Sequence, residues 1–377
     1  MRRKIVVIFL AALAVFFLTK PAILFVARIQ LQGVFPGSKV SIKSCSFIPH
    51  RLLFLSEIEI RRDKVYDFKI KEAKVFYDPI RLLRRKIVKF YLGEAAISIN
   101  MGKESIAEFS KYVKLGPSIF LLESVELHDL NLDLKSKEAV MTAGISSEFN
   151  PLDQSINYFD LKIGSLEAQG AQVKNASLRF NQKRLGNLYI ERIQYDKAKI
   201  EDVKGSTYLE GKSFAISSLS AKTFDGQIHG ELKLRMDKTP EYFCNLKFID
   251  LDLDRFAQDF KLKEKFRVTG RLTGDLALQG SGANVKILGG NFNSVEPGGM
   301  LTITDDKFLN NVAKSSGQSL DILVESFKDY HYNTGVMKLS LEQGDIVFDI
   351  ALEGESGKRN LSIVLHDFKL GSLATGN

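Results

Sequence analysis

From Val40 onward apolar and polar residues alternate with a period of two, as in Leu130–Leu134, Leu232–Leu234, Leu276–Leu278, Leu339–Leu341 and Ile346–Ile350. Side chains of a strand point alternately to its two faces, so this pattern predicts half-buried β-strands rather than helices. Turn signals recur between the runs, at Asp225-Gly226, Gly289-Gly290, Pro297-Gly298-Gly299 and Gly354 to Gly357. The spacing predicts roughly eighteen short strands in antiparallel succession.

A finer repeat lies inside the alternation: apolar residues at n, n+2, n+5 and n+7, with polar residues or glycine between them. It is clean at Val40/Ile42/Cys45/Phe47, Phe68/Ile70/Ala73/Val75, Val125/Leu127/Leu130/Leu132, Leu161/Ile163/Leu166/Ala168 and Ala171/Val173/Ala176/Leu178. With one exception among the spacers it returns from Leu53, Leu188, Phe214, Leu246 and Ile363. Chance would give about one or two clean copies at this apolar content, so five is an excess. The odd step between the pairs would send the second pair to the opposite face unless one residue is absorbed. A β-bulge at the middle positions absorbs it, keeps all four side chains on one side, and adds twist. The expected product is a curved sheet with one apolar face.

Helices are expected to be few and short: Pro79–Lys86 behind the N-cap Asp78, then Ser105–Val113, Leu253–Lys265, Lys307–Ser315 and Leu320–Phe327. Five such helices cannot cover the apolar face of so many strands. That face must meet a second sheet, close on itself, or stay open as a trough.

The beginning of the chain departs from this pattern. Arg2, Arg3 and Lys4 precede the apolar run Ile5–Leu18, and after Thr19, Lys20 and Pro21 the chain is apolar again to Ala27. Residues 5–27 have the length of a transmembrane helix, about 20 residues, with Lys20 reaching the interface. The alternative is a cleaved signal peptide, although no small-x-small cleavage site follows the run. The positive-inside bias places residues 1–4 in the cytoplasm and the bulk of the chain across the membrane. Lys20, Arg28, Lys39 and Lys43 oppose that bias from the other side.

The apolar fraction of 45% is ample for a core, and the net charge of +8 is unevenly placed. Residues 1–92 carry +13 and the remainder −5. The basic part therefore adjoins the apolar run, which suits contact with anionic headgroups at Arg28, Lys39, Lys43, Arg61, Arg62, Arg84 and Arg85. A solvated face is the plainer alternative. Phe68, Phe76, Tyr77, Phe90 and Tyr91 lie among these charges, so single-stranded nucleic acid also has to be weighed; an exported domain would not meet it. Two cysteines, Cys45 and Cys244, do not make a disulfide scaffold, and whether they pair is open.

Catalytic motifs are missing from the sequence. The five histidines are dispersed, with no His-Glu-x-x-His and no Cys-x-x-Cys. Gly354-Glu-Ser-Gly357-Lys-Arg imitates the end of a phosphate loop but lacks its first glycine and its Ser/Thr. Asp250, Asp252 and Asp254 offer three carboxylates to a calcium ion, or a solvated face. No enzyme, cofactor or metal site is expected.

Several stretches together resemble a known family. Gly33–Ile42, Leu55–Ile60, Phe68–Val75 and Tyr77–Leu83 are similar to the N-terminal module of AsmA-like envelope proteins. Phe224–Gly230, Thr269–Gly280 and Gly298–Ile303 resemble the repeats further along such proteins, and Leu320–Phe368 resembles the C-terminal part of the YdbH branch, to which TamB-type proteins are related. The resemblance implies a mainly β fold: an N-terminal transmembrane helix followed by an elongated, curved antiparallel β-sheet forming an apolar groove, with a few short helices. It divides the chain into a tail (1–4), an anchor (5–27), a basic N-terminal module (28–100), central groove repeats (101–264) and a C-terminal module (265–377). It implies an inner-membrane-anchored periplasmic protein that moves phospholipid between envelope membranes. At about 4.8 Å per strand, eighteen strands reach on the order of 85 Å, which is short for a bridge, so a partner, an oligomer or a shuttling role is implied.

Combined with the repeat, this gives a set of expected groove-lining residues: Val40, Ile42, Phe68, Ile70, Val125, Leu127, Leu130, Leu132, Leu161, Ile163, Leu166, Val173 and Leu178. The end near Leu361–Leu370 offers an edge strand to which a partner could add its own. The competing expectation is an envelope scaffold whose closed β-sandwich buries the same residues against each other.

Overall fold

A computed structural model describes residues 20–48, 51–102, 109, 111–112, 121–153, 155–168, 170–237, 239–264, 266–282, 284–303, 328–342 and 344–365. The run Ile5–Leu18, most of the expected helix Ser105–Val113, the expected helices Lys307–Ser315 and Leu320–Phe327, and the edge beyond Leu365 lie outside the described residues. The chain divides into two units, one of Met1–Ala168 with Ser177–Arg184, the other of Gln169–Ala176 with Leu185–Asn377.

In the first unit, α1 occupies residues 20–34. It is followed by β1 (Lys39–Ile48), β2 (Leu52–Arg62), β3 (Tyr66–Phe76), α2 (Pro79–Leu83), β4 (Lys86–Ile87), β5 (Lys89–Asn100), β6 (Leu121–Leu122), β7 (Val125–Lys135), β8 (Ala139–Asn150) and β9 (Ser155–Ala168). The main ladder runs β1-β2-β3-β5-β7-β8-β9. It is antiparallel with one correction to the expected succession: β5 and β7 pair in parallel, as do the small strands β4 and β6. A parallel pair needs a crossover of a dozen residues or more, and residues 101–124 supply it. That stretch carries no period of two, and the helix expected at Ser105–Val113 does not say in which direction the next strand runs.

β10 (Ala171–Asn181) has residues in both units. The second unit continues with β11 (Leu185–Tyr195), β12 (Ala198–Glu210), β13 (Ser213–Thr223), β14 (Gly226–Arg235), β15 (Glu241–Asp252), α3 (Leu253–Asp259), β16 (Phe266–Val268), β17 (Arg271–Ser281), β18 (Asn284–Val295), β19 (Gly299–Ile303), β20 (Tyr330–Tyr332), β21 (Thr334–Glu342), β22 (Asp345–Gly354) and β23 (Gly357–Leu365). Its ladder is antiparallel throughout: β11 to β15 in order, then β17, β18, β21, β22 and β23. A three-stranded sheet of β16, β19 and β20 stands beside it. Among the described strands no pairing closes either ladder into a barrel, and the only other sheets have three and two strands. The closed sandwich therefore lacks its second sheet among the described residues.

Left-handed backbone interrupts seven strands, at Glu57, Glu94, Asp129, Asn175, Asp202, Ser218 and Asp250, with φ between 46° and 59°. Six of them stand four residues after the first apolar residue of an n, n+2, n+5, n+7 set; before Asp202 the set starts at Ala198 but has Gly205 in its last place. Register shifts at Asp129, Asp202, Ser218 and Asp250 mark each of these four as the absorbed residue that the odd step requires, in the left-handed form usual for glycine bulges. The register is unchanged across Glu57 and Glu94, and the sets from Val40 and Phe68 hold no left-handed residue. A non-glycine residue in that region costs about 1–2 kcal/mol. Six of these strands thereby keep two further apolar side chains on one face, worth about 1.5–3 kcal/mol apiece for a fully buried Val, Leu, Ile or Phe, so the left-handed residue is favoured. Five of the seven residues are Asp, Asn or Ser, the side chains short enough to bond locally in this conformation.

α1 closes one end of the first unit's apolar face. Leu24, Ala27 and Leu31, at helical spacing, pack with Phe35 onto a core of Ile42, Ile58, Ile60, Tyr66, Phe68 and Ala73. Phe35 sits edge-on to Phe68 at 5.4 Å, and Tyr66 stacks on Phe68 at 4.9 Å. Phe25, Val26 and Ile29 on the other side of the helix are exposed.

Candidate functional site

The strand registers assemble the apolar sets into continuous lines. In the first unit Ile42, Ile58, Ile70, Ala95, Leu130 and Leu161 are connected partner to partner, with Ile145 between the last two. Val40 leads through Ile60 to Phe68, and from there the line passes Ile97, Leu132 and Ala143 to Ile163. Eight of the thirteen expected lining residues thus share two lines. Leu127 and Val125 start further lines through Leu92 and Phe90, and Leu166 faces Met141. Val173 and Leu178 lie on β10, which pairs with β9.

The thirteen differ in cover. Val40, Ile42, Phe68 and Ile70 belong to the core beneath α1, where the helix already occupies the face. Val125 and Leu130 are buried as well, whereas Leu127, Leu132, Leu161, Ile163, Leu166, Val173 and Leu178 are half-buried. Sequence reasoning missed the difference because Leu24 and Ala27 lie in a run that is apolar on every side and Leu31 lies beyond its end.

The second unit repeats the arrangement. Ile228, Phe248, Gly274, Phe292, Met337 and Ile350 form one line, and Gly230, Leu246, Leu276, Gly290, Leu339 and Phe348 the next. Leu246, Leu276, Leu339 and Phe348 are all half-buried. Between the two lines, on the opposite face, run His229, Lys247, Asp275, Asn291, Lys338 and Asp349. One face of the sheet is thus hydrocarbon and the other is charged.

The left-handed residues carry polar pairs. Lys43 Nζ lies 2.7 Å from Glu57 Oε1, Lys71 2.5 Å from Glu94, Lys222 2.8 Å from Asp202, and Arg271 2.6 Å from Asp250. Hydrogen bonding to Lys222 holds the Asp202 carboxyl below the usual carboxylate range, and bonding to Glu94 raises the Lys71 ammonium. The amide of Asp129 donates to Ser146 Oγ, and the side-chain amide of Asn175 donates to Glu191. These left-handed residues were not expected as a group; their signal is the third spacer of each set, four residues after its first apolar residue. Two shallow clefts, of about 710 Å³ in the first unit and 790 Å³ in the second, are lined largely from this charged side, so neither is the hydrocarbon path.

Asp250, Asp252 and Asp254 do not come together on one face. The bulge at Asp250 breaks the strand's alternation, Asp252 caps α3 by accepting from the Arg255 amide at 2.9 Å, and Asp254 pairs with Lys263. Cys45 and Cys244 are both free and buried.

The expected headgroup contacts also divide. Arg28 donates to the Ile42 carbonyl of edge strand β1, Lys43 pairs with Glu57, and Arg61 pairs with Asp67. Arg62 donates to the Pro36 carbonyl and lies 4.7 Å over the Tyr112 ring. Lys39, Arg84 and Arg85 are exposed.

A family model described as YdbH-like, intermembrane phospholipid transport protein YdbH, matches residues 138–365. The chain belongs to the YdbH-like family. The match runs from the start of β8 to the end of β23, more than half of the chain, and takes in the whole ladder of the second unit. Residues 28–100, with their AsmA-like resemblance, precede the YdbH-like stretch. No curated protein and no solved structure matches the chain.

Among the described residues no helix is long and apolar enough to cross a membrane. The expected anchor, residues 5–27, falls mostly outside them; its last part, residues 20–27, is helical and belongs to α1.

Proposed function

We propose that this chain carries phospholipid along the apolar face of its sheets, with the acyl chains on the hydrocarbon lines and the headgroup in water. The observation that carries the reading is the half-buried state of those lines in both units, with no large second sheet over them among the described residues. The description of the YdbH-like family supports phospholipid as the cargo. Each CH₂ taken out of water is worth about 0.8 kcal/mol, so an acyl chain gains from such a surface. The evenly repeated lines offer many similar positions rather than one deep well. Transfer of this kind needs no covalent step, and the protein acts without enzymatic chemistry.

In this proposal residues 5–27 anchor the chain in the inner membrane, the remainder lies in the periplasm, and movement is between the two envelope membranes. The exposed Phe25 and Val26, at the end of residues 5–27, and Ile29 just beyond them support a helix that leaves a bilayer there. β23, at the end of the second ladder, is the place where a partner would add a strand. A photoreactive residue at Leu161 is expected to crosslink to phospholipid and one at Lys162, on the opposite face, is not. Equal labelling at both, or none at Leu161, refutes the groove.

A further inference from the structure

The knuckle between β3 and β4 combines exposed hydrocarbon with positive charge. Asp78 accepts from the amides of Ile80 and Arg81 at 2.9 and 3.0 Å, and Pro79 fixes the first helical residue, so a helix starts here on local chemistry alone. It is only five residues long, and two of its apolar side chains find no core: Ile80 is 66% and Leu83 87% exposed. Leu83 is the most exposed large apolar side chain among the described residues. Ile48, at the end of β1, and Leu121, on β6, are also about half exposed at the same strand ends. The Leu121 amide donates to the Arg85 carbonyl, and the Tyr77 hydroxyl to the Ile48 carbonyl.

A basic collar surrounds this apolar tip. Arg81 is paired with Glu123. Arg51, Arg84 and Arg85 are exposed and make no ion pair among the described residues. A handful of side chains is far too small for a specific protein interface, which buries about 1,200–2,000 Å². Protruding apolar residues ringed by arginine instead match a surface with hydrocarbon beneath anionic headgroups. We infer that Ile80 and Leu83 insert into the interface of an anionic phospholipid bilayer, with Arg84 and Arg85 at the headgroups. The tip is a second membrane contact, separate from residues 5–27. It would hold a strand-end rim of the first unit against the bilayer from which cargo enters. The docking stands whether or not the apolar face carries lipid.

The test uses the full chain with Leu83→Cys labelled by an environment-sensitive fluorophore; both native thiols are buried, so the label goes to the new one. Leu152→Cys, at an exposed turn before β9, is the control. In phosphatidylglycerol-containing vesicles the Leu83 label should shift to the blue and become about fivefold less accessible to aqueous iodide, as an inserted interfacial residue does. The Leu152 label should not change. Adding Arg84→Gln and Arg85→Gln, or using pure phosphatidylcholine vesicles, should remove the protection. If the Leu83 label stays as accessible as the Leu152 label, or is protected equally without anionic lipid or without the two arginines, the inference is overturned. Transfer of a fluorescent phospholipid, measured on the same samples, separates the readings. Protection without transfer sinks the groove alone, and transfer without protection sinks the docking tip alone.

Discussion

Glu57 stands in left-handed backbone at the middle of β2 and meets Lys43 of β1 at 2.7 Å. The two occupy the same step of the ladder, between the pairs Ile42–Ile58 and Ser44–Ser56. The relation recurs across neighbouring strands with Lys71 and Glu94, and with Lys222 and Asp202. A left-handed residue on one strand is thus met by a charged partner on the next. These pairs are exposed and add little stability by themselves. Their role is positional: a slip of one residue would bring the wrong side chains together and turn hydrocarbon to the wrong face.

The bulge therefore predicts opposite outcomes for two substitutions of Ser218, whose φ is 53° where the register shifts between Ile216 and Leu219. Ser218→Gly should leave stability unchanged or raise it by up to about 1 kcal/mol, because glycine adopts this conformation freely. Ser218→Val should lower it by about 1–2 kcal/mol, because a β-branched side chain does not. Thermal unfolding of the two variants checks the order; equal effects would mean that left-handed backbone does not hold the bulge.

Much of this was legible in the sequence, and the reason is local. The odd step in sets such as Val125/Leu127/Leu130/Leu132 required an absorbed residue, and Asp129 is that residue, with a φ of 52°. Asp78 announced α2 as a cap does. What escaped depended on partners distant in sequence. Nothing in β5 or β7 says that they run in parallel. Nothing in Leu24, Ala27 and Leu31 says which strands they will cover, and a pattern of apolar residues cannot show that Leu83 is left in water.

Gly298 predicts a steric outcome. Its φ is +91°, and an added Cβ would lie 2.0 Å from the Tyr332 carbonyl oxygen and 2.8 Å from Asn333. Both neighbours are backbone, so the contact cannot be relieved by a rotamer change. Gly298→Ala should destabilise the small sheet of β16, β19 and β20 by about 1–3 kcal/mol. Hydrogen exchange at the Thr269 amide, which donates to the Met300 carbonyl at 2.9 Å, should then quicken while β11–β15 are unaffected. Unchanged exchange would refute the prediction.

Tyr332 predicts an alkaline limit. Its ring is 3% exposed, and burial pushes its phenol up to about 12. Its hydroxyl donates to the Thr269 carbonyl at 2.7 Å. The folded pKa lies above the unfolded value near 10, so in that window the native state binds the extra proton. This contribution is fully present below about pH 10 and is lost as pH rises toward about 12, in total on the order of 2 kcal/mol. Tyr332→Phe should flatten that alkaline loss, at the cost of one hydrogen bond. A loss equally steep in the variant would place its origin elsewhere.

Leu127 predicts how the apolar face responds to charge. It is half-buried, follows the buried Val125 by two residues, and lies in register with Leu92 of β5. A carboxylate at Leu127 can still reach water, so Leu127→Glu should fold with a modest loss of stability. An acyl chain passing it would have to lose contact with hydrocarbon beside an ionised group, which costs several of the roughly 0.8 kcal/mol CH₂ increments that favour its binding. Vesicle-to-vesicle phospholipid transfer by the full chain should therefore fall at least tenfold, about 1.4 kcal/mol in barrier. Leu127→Met should leave transfer near its original rate, because it keeps hydrocarbon of similar volume at the position. Charge reversal at Asp133 of the same strand, on the charged face, should have little effect. Undiminished transfer by Leu127→Glu, with circular dichroism showing the fold retained, would remove this face from the lipid path.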